Sequence, residues 1–147
     1  MTIPAKGSSD RLGFGEAVVR ALRQFSRFSG RASVAEFWWF ALFLVLLWGA
    51  LYLMAVVVGS AAGAGGAAQA VGALLLGVSL VLLVIVLALL VPAFAVAVRR
   101  LHDTGRTGWW AVLLVVPLIA VIPYFFCLLP GNLGTNEYGE QPPVPLD

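Results

Sequence analysis

The chain predicts an all-α fold, an integral membrane bundle of about three transmembrane helices preceded by a short amphipathic interfacial helix. Three observations carry that expectation. The 147 residues are 61% hydrophobic and only 11% charged, whereas ordinary soluble domains are about 25% charged. No Asp, Glu, Lys or Arg occurs from Phe37 to Val98 or from Thr107 to Asn136; a spanning helix needs roughly 20 apolar residues to cross a core about 30 Å thick, so these runs hold about three. Arginine is confined to the segments that flank them, which marks where the aqueous surface begins.

Taken in order, residues 1–11 are expected to be disordered, and the first long apolar run starts too late for a signal peptide, so the first span itself acts as the insertion signal. Over 12–28, Phe14, Val18, Ala21, Leu22 and Phe25 recur at helical spacing while Arg20, Arg23 and Arg27 fall largely on the other side. Such a helix either lies in the headgroup plane or packs on the ends of the spans, and the two are compatible. Gly30 in FSGR breaks it. The first span is 34–58: Ser33 and Glu36 form the capping-box pattern, Glu36 suits a helix N-terminus, and Trp38 and Trp39 are interface anchors.

Residues 59–70 read as an uncharged Gly/Ala-rich periplasmic or extracellular loop, or else as helix ends brought close by Gly59 and Gly63. The second span, 71–98, is longer than the core at 1.5 Å per residue, so it tilts, and Pro92 kinks it. Residues 99–108, RRLHDTGRTG, form a turn: Arg99 and Arg100 suit a helix C-terminus, Asp103, Thr104 and Gly105 a tight reversal, and Thr107 a cap. Trp109 and Trp110 anchor a third span, 109–129, interrupted by Pro117 and Pro123. It reads as a kinked crossing, with a re-entrant hairpin as the alternative. The remainder, 130–147, is an irregular tail without a core, and 12–142 forms one membrane domain.

Charge sets the orientation. Residues 1–36 carry +3, the central turn +2 and the tail −3, so the N-terminus and the 99–108 turn face the cytoplasm, and three crossings put the tail outside. Basic residues beside apolar spans point to anionic lipid rather than nucleic acid. Cys127 is the lone cysteine, which leaves no internal disulfide and no cysteine-rich metal site.

The candidate site is a cytoplasmic collar of Arg31, Ser33, Glu36, Arg99, Arg100, His102 and Asp103, a set either functional or engaged in capping helices. His102, the one histidine, titrates near neutrality, but without a partner set it is weak evidence for chemistry. No nucleophile and base at a recognisable spacing, no metal-ligand cluster and no phosphate loop is present, so no catalytic residue, metal or cofactor is expected.

The segments FSGRASVAEFWWF, RRLHDTGRTGWW and GNLGTNEYGEQP together resemble the domain of unknown function 805 family, the YhaH-like small bacterial inner-membrane proteins, over about Phe14 to Pro142. The resemblance implies a bacterial inner-membrane location and assigns no activity. Its pattern falls on Gly30, Arg31, Ala32, Ser33, Glu36, Phe37 and Trp38, on Arg99 to Asp103, and on a tail signature of Gly134, Asn136, Tyr138 and Gly139. Val34 stands where such proteins commonly have arginine, and Gln141 where they often have aspartate.

The function expected is that of a non-enzymatic membrane module whose collar meets anionic lipid, a membrane partner or a second copy. One alternative is a subunit of an oligomeric transporter or channel, although the spans offer only Tyr52, Ser79 and Cys127 as polar groups at depth. The outsider is a membrane-embedded enzyme in which Glu36, His102 and Asp103 work on a phospholipid headgroup held by Arg31, Arg99 and Arg100, which requires Glu36 to lie near Arg99 or Arg100.

Overall fold

The structure is a computed structural model that describes residues 12–63, 65–116 and 118–142. The expectations for residues 1–11, Pro117 and the last five residues lie outside the described residues. Five α-helices and one 3-10 helix follow in order: α1 Phe14–Arg23, α2 Val34–Ala62, α3 Ala67–Ala88, α4 Leu90–Asp103, the 3-10 helix Gly108–Val115, and α5 Val121–Leu128. Among the described residues the only extended pairing is an isolated bridge between Asn136 and Gly139.

Helix α1 is shorter than the amphipathic segment read from spacing. It ends at Arg23, where Arg20 and Arg23 in the last turn suit the negative end of the helix. Ala17 and Ala21 are its buried face.

Helix α2 begins where Ser33 accepts the Glu36 backbone N–H at 3.2 Å. That is half of the capping box. Glu36 does not return the bond, because its carboxylate is engaged elsewhere. The helix runs 29 residues, past the expected end at 58. Alanine, the best helix former, carries both α2 and α3 into the segment expected to be a loop, which shortens the connector to 63–66. Gly66 there has φ +63°. Gly72 on α3 lies so close to α2 that a Cβ would come within 2.9 Å of the Ala61 Cβ. A small-residue approach of helix ends is therefore combined with a short turn.

The second long segment is helical from Ala67 to Asp103 except for a break at Leu89. Pro92 explains the position: lacking an N–H, it leaves the carbonyl four residues earlier, that of Ala88, unpaired and crowds it. Helix α4 also extends five residues into the expected turn. Its end is a Schellman motif in which Arg106 N–H donates to Leu101 O at 2.9 Å and Gly105 N–H to His102 O at 3.0 Å. Gly105, at φ +70°, occupies the left-handed position.

Two helical stretches, Val34–Ala62 and Ala67–Asp103, are long and apolar enough to cross a membrane, and only 6% of the most apolar window in each is buried inside the protein. Leu74, Val81 and Val84 are more than half exposed. Apolar surface this extensive is unsustainable in water and suits lipid.

The segment 109–129 departs from the expected third span. It is a 3-10 helix of eight residues and an α-helix of eight, packed against each other, and neither is long enough to cross. Pro123 falls in the first turn of α5, where a missing N–H costs nothing. The chain after α5 hydrogen-bonds to Asp103 and His102 at the end of α4, so the tail lies beside the turn.

The expected single domain divides into two units. One comprises Met1–Phe40 and Pro92–Asp147, the other Ala41–Val91. Phe40, Val96, Leu101 and Cys127 are core residues of the first, and Leu51 and Val86 of the second.

Candidate functional site, a buried collar of arginines and carboxylates

Segments from both ends of the first unit contribute to one charged cluster. The break at Gly30, φ +90°, sets Arg31 and Ala32 against the end of α4, and the Ala32 N–H donates to Arg99 O at 3.0 Å. The Arg31 side chain then crosses to Asp103, with Nε 2.8 Å and Nη2 2.8 Å from Oδ1. Arg100, one turn before Asp103 on the same helix, pairs with the other carboxylate oxygen, Oδ2. A second pair lies beside the first: Arg99 Nη2 is 2.8 Å from Glu36 Oε1, and Arg99 Nη1 donates to Gln24 Oε1 at 2.5 Å. Arg99 Nε is buried without a hydrogen-bond partner.

The remaining guanidinium donors of Arg31 and Arg100 find backbone acceptors in the tail and at the end of α5. Arg100 Nε donates to Cys127 O at 3.2 Å and Nη2 to Leu129 O. Arg31 donates to the carbonyls of Asn132, Gly134 and Gly139. Asn132 N–H in turn donates to Asp103 O at 2.8 Å. Burying a charge is costly unless it is paired and its hydrogen-bonding groups are met. The tail meets them for Arg31, and the end of α5 for Arg100.

The tail signature therefore joins the collar. Asn136 Nδ2 donates to His102 O at 2.9 Å, and its Oδ1 accepts the Tyr138 N–H at 2.9 Å. The Tyr138 ring stacks on His102 at 4.0 Å and 2°, while His102 Nδ1 lies 3.2 Å from Gly30 O. Gly134 and Gly139, at φ +74° and +125°, supply turns that other residues adopt at a cost.

Arg31, Glu36, Arg99, Arg100, His102 and Asp103 are all buried, Arg100 completely, and Ser33 is half-buried. The guanidiniums of Arg31 and Arg100 are engaged by internal acceptors. Glu36 does lie beside Arg99, as the headgroup-enzyme alternative requires, but the pair closes on itself. Arg106 is placed differently, its guanidinium 3.8 Å above the Phe126 ring.

Trp38, Trp39, Trp109 and Trp110 are all exposed, with Phe14 edge-on to Trp39 and Phe126 edge-on to Trp110. Of the polar groups expected at depth, Ser79 donates to Leu75 O within its own helix at 2.7 Å, Tyr52 is exposed and Cys127 is buried. Burial pushes the Cys127 thiol up to about 11 against the pull of Arg100. Desolvation, with the neighbouring Glu137, raises Tyr138. Among the described residues no three His, Cys, Asp or Glu side chains converge as metal ligands.

Sequence patterns missed Gln24, the partner of Arg99, and Gly131, where a Cβ would overlap the Asp103 carboxylate. The glycine after Pro130 is a turn signal; nothing in the sequence marks Gln24.

Comparison with known proteins follows the same residues. Residues 25–140 match the family described as protein of unknown function DUF805. The inner membrane protein YhaI of Escherichia coli K12 is 33% identical over 123 residues, 82% of this chain and 90% of the relative. The inner membrane protein YhaH of the same organism is 32% identical over 127 residues, 84% of this chain and 93% of the relative. No solved structure matches. The match spans FSGR, both long apolar helices, the collar and its tail acceptors, and on that basis the chain belongs to the DUF805 family.

Proposed function

We propose that the protein is a non-enzymatic helical module of the bacterial inner membrane, with its arginine-rich end in the cytoplasm, and that this end meets anionic lipid or a membrane partner. The location rests on the relatives, both named inner membrane proteins, and the orientation on the arginines at 20–31 and 99–106. The collar acts inside the module as a clamp. One observation carries this: Asp103 is shared by Arg31 and Arg100 in a buried cluster whose other donors end on carbonyls of the tail and of the end of α5.

Arg100→Ala separates a clamp from a chemical role. Cys127, now fully buried, gains reactivity toward a water-soluble maleimide if the collar holds the tail in place. If Cys127 stays protected in Arg100→Ala while a lipid-dependent phenotype disappears, the collar is a chemical site and the reading fails. Reporter fusions at residues 30 and 104 test the orientation, and a translocated residue 104 would overturn it.

A further inference from the structure

If the collar arginines are buried, a different surface must make the lipid contact, and the exposed arginines of the first unit identify it. Arg23 and Arg27 are exposed and Arg20 half-buried. The three ion pairs among the described residues all belong to the collar, so none of these three arginines is paired with a carboxylate of the described residues. Glu16, one turn before Arg20, is the single acid on α1 and pairs with none of them. Beside the arginines lies uncovered apolar surface: Val19, Leu22, Phe25 and Phe28 are exposed, Phe25 to 53%. The opposite side of the helix is already used, with Ala17 and Ala21 buried and Gln24 bonded to Arg99.

We infer that the outer face of α1 and the turn to Phe28 is a binding surface for anionic phospholipid, with Arg20, Arg23 and Arg27 on phosphates and Leu22, Phe25 and Phe28 in the acyl boundary. This rests on the membrane-module reading above and assigns its lipid contact to α1 instead of the collar. Cationic and apolar groups side by side on one short helix and the turn that follows it match the headgroup boundary, where both find a suitable medium at the same depth. An acidic protein would satisfy the arginines and leave the phenylalanines uncovered. The level of the helix agrees, because Phe14 packs edge-on to Trp39 at 5.9 Å, and Trp39 is an exposed tryptophan of the kind that sits among headgroups.

The test uses the full chain carrying Leu22→Cys, in nanodiscs of phosphatidylcholine alone or of phosphatidylcholine with phosphatidylglycerol, and reads maleimide labelling site by site. Phosphatidylglycerol slows labelling at position 22, and each Arg→Ser change at 20, 23 or 27 reduces the lipid effect about fivefold. Arg→Lys changes retain it. Equal labelling in both lipids overturns the inference, as does protection that survives all three Arg→Ser changes or that appears only when an acidic peptide is added. Cys127 keeps the two readings apart. If it is labelled in the parent chain, the clamp has failed; if it stays protected while position 22 remains open in phosphatidylglycerol, the α1 inference alone has failed. Should the serine variants open the collar, the comparison of the two lipids with all three arginines present still decides.

Discussion

The Asp103 carboxylate lies 2.8 Å from Arg31 Nε although the two residues are 72 positions apart. Arg100 holds its other oxygen. One buried carboxylate therefore ties the entry to α2 to the exit of α4. Asp103→Asn keeps the shape and removes the charge, which leaves two guanidiniums unbalanced. Breaking a buried pair costs about 3–5 kcal/mol, and thermal unfolding in mild detergent should show a loss of that order. Adding Arg100→Ala to Asp103→Asn should cost less than the sum of the two, since they share one interaction.

Ser33 and Glu36 should separate by size of effect. Ser33→Ala removes one N-cap bond, worth about 1 kcal/mol. Glu36→Gln leaves Arg99 buried with only Gln24 as a side-chain partner, so it should be the more destabilising under the same unfolding measurement. The reverse order would show that Glu36 acts mainly as a helix cap.

Gly131 and Gly134 should fail for different reasons. A Cβ at Gly131 would overlap Asp103, so Gly131→Ala must push the tail off the collar, at about 1–3 kcal/mol for overpacking. Gly134 has open space and φ +74°, so Gly134→Ala pays only backbone strain, about 1–2 kcal/mol. Maleimide access to Cys127 should rise in Gly131→Ala and stay low in Gly134→Ala.

Cys127 also predicts a pH dependence. The fold favours the neutral thiol, so its contribution to stability is complete below the ordinary value of 9.0 and is lost as pH climbs toward about 11. Labelling of the intact protein should stay slow through mildly alkaline pH. Arg100→Ala should advance it, because burial is the dominant cause of the shift and opening the collar removes burial.

Much of this arrangement can be read from residue order. Gly105 beside Asp103 and Thr104 foretold a left-handed turn and Ser33 a helix start, and the charge-free runs read as about three spans, of which two are helices of membrane length. The two short helices at 109–129 were harder, because hydropathy measures a segment's preference for lipid and is the same for one long helix as for two short ones. The tail was harder still. Nothing local in Pro130 to Gly139 asks for burial; the demand comes from the guanidinium at Arg31, whose unmet donors lie far off in the sequence.

That distance has a consequence for biogenesis. Arg31 and its acceptor Gly134 are 103 residues apart, so during synthesis the arginine emerges long before the carbonyl that will satisfy it. Until then it stays hydrated while the apolar helices partition, and the cluster closes only after Gly134 has emerged. A message truncated ahead of Gly131 would yield a polypeptide that inserts normally yet never seals, a species that quality-control proteases could recognise by its open arginines.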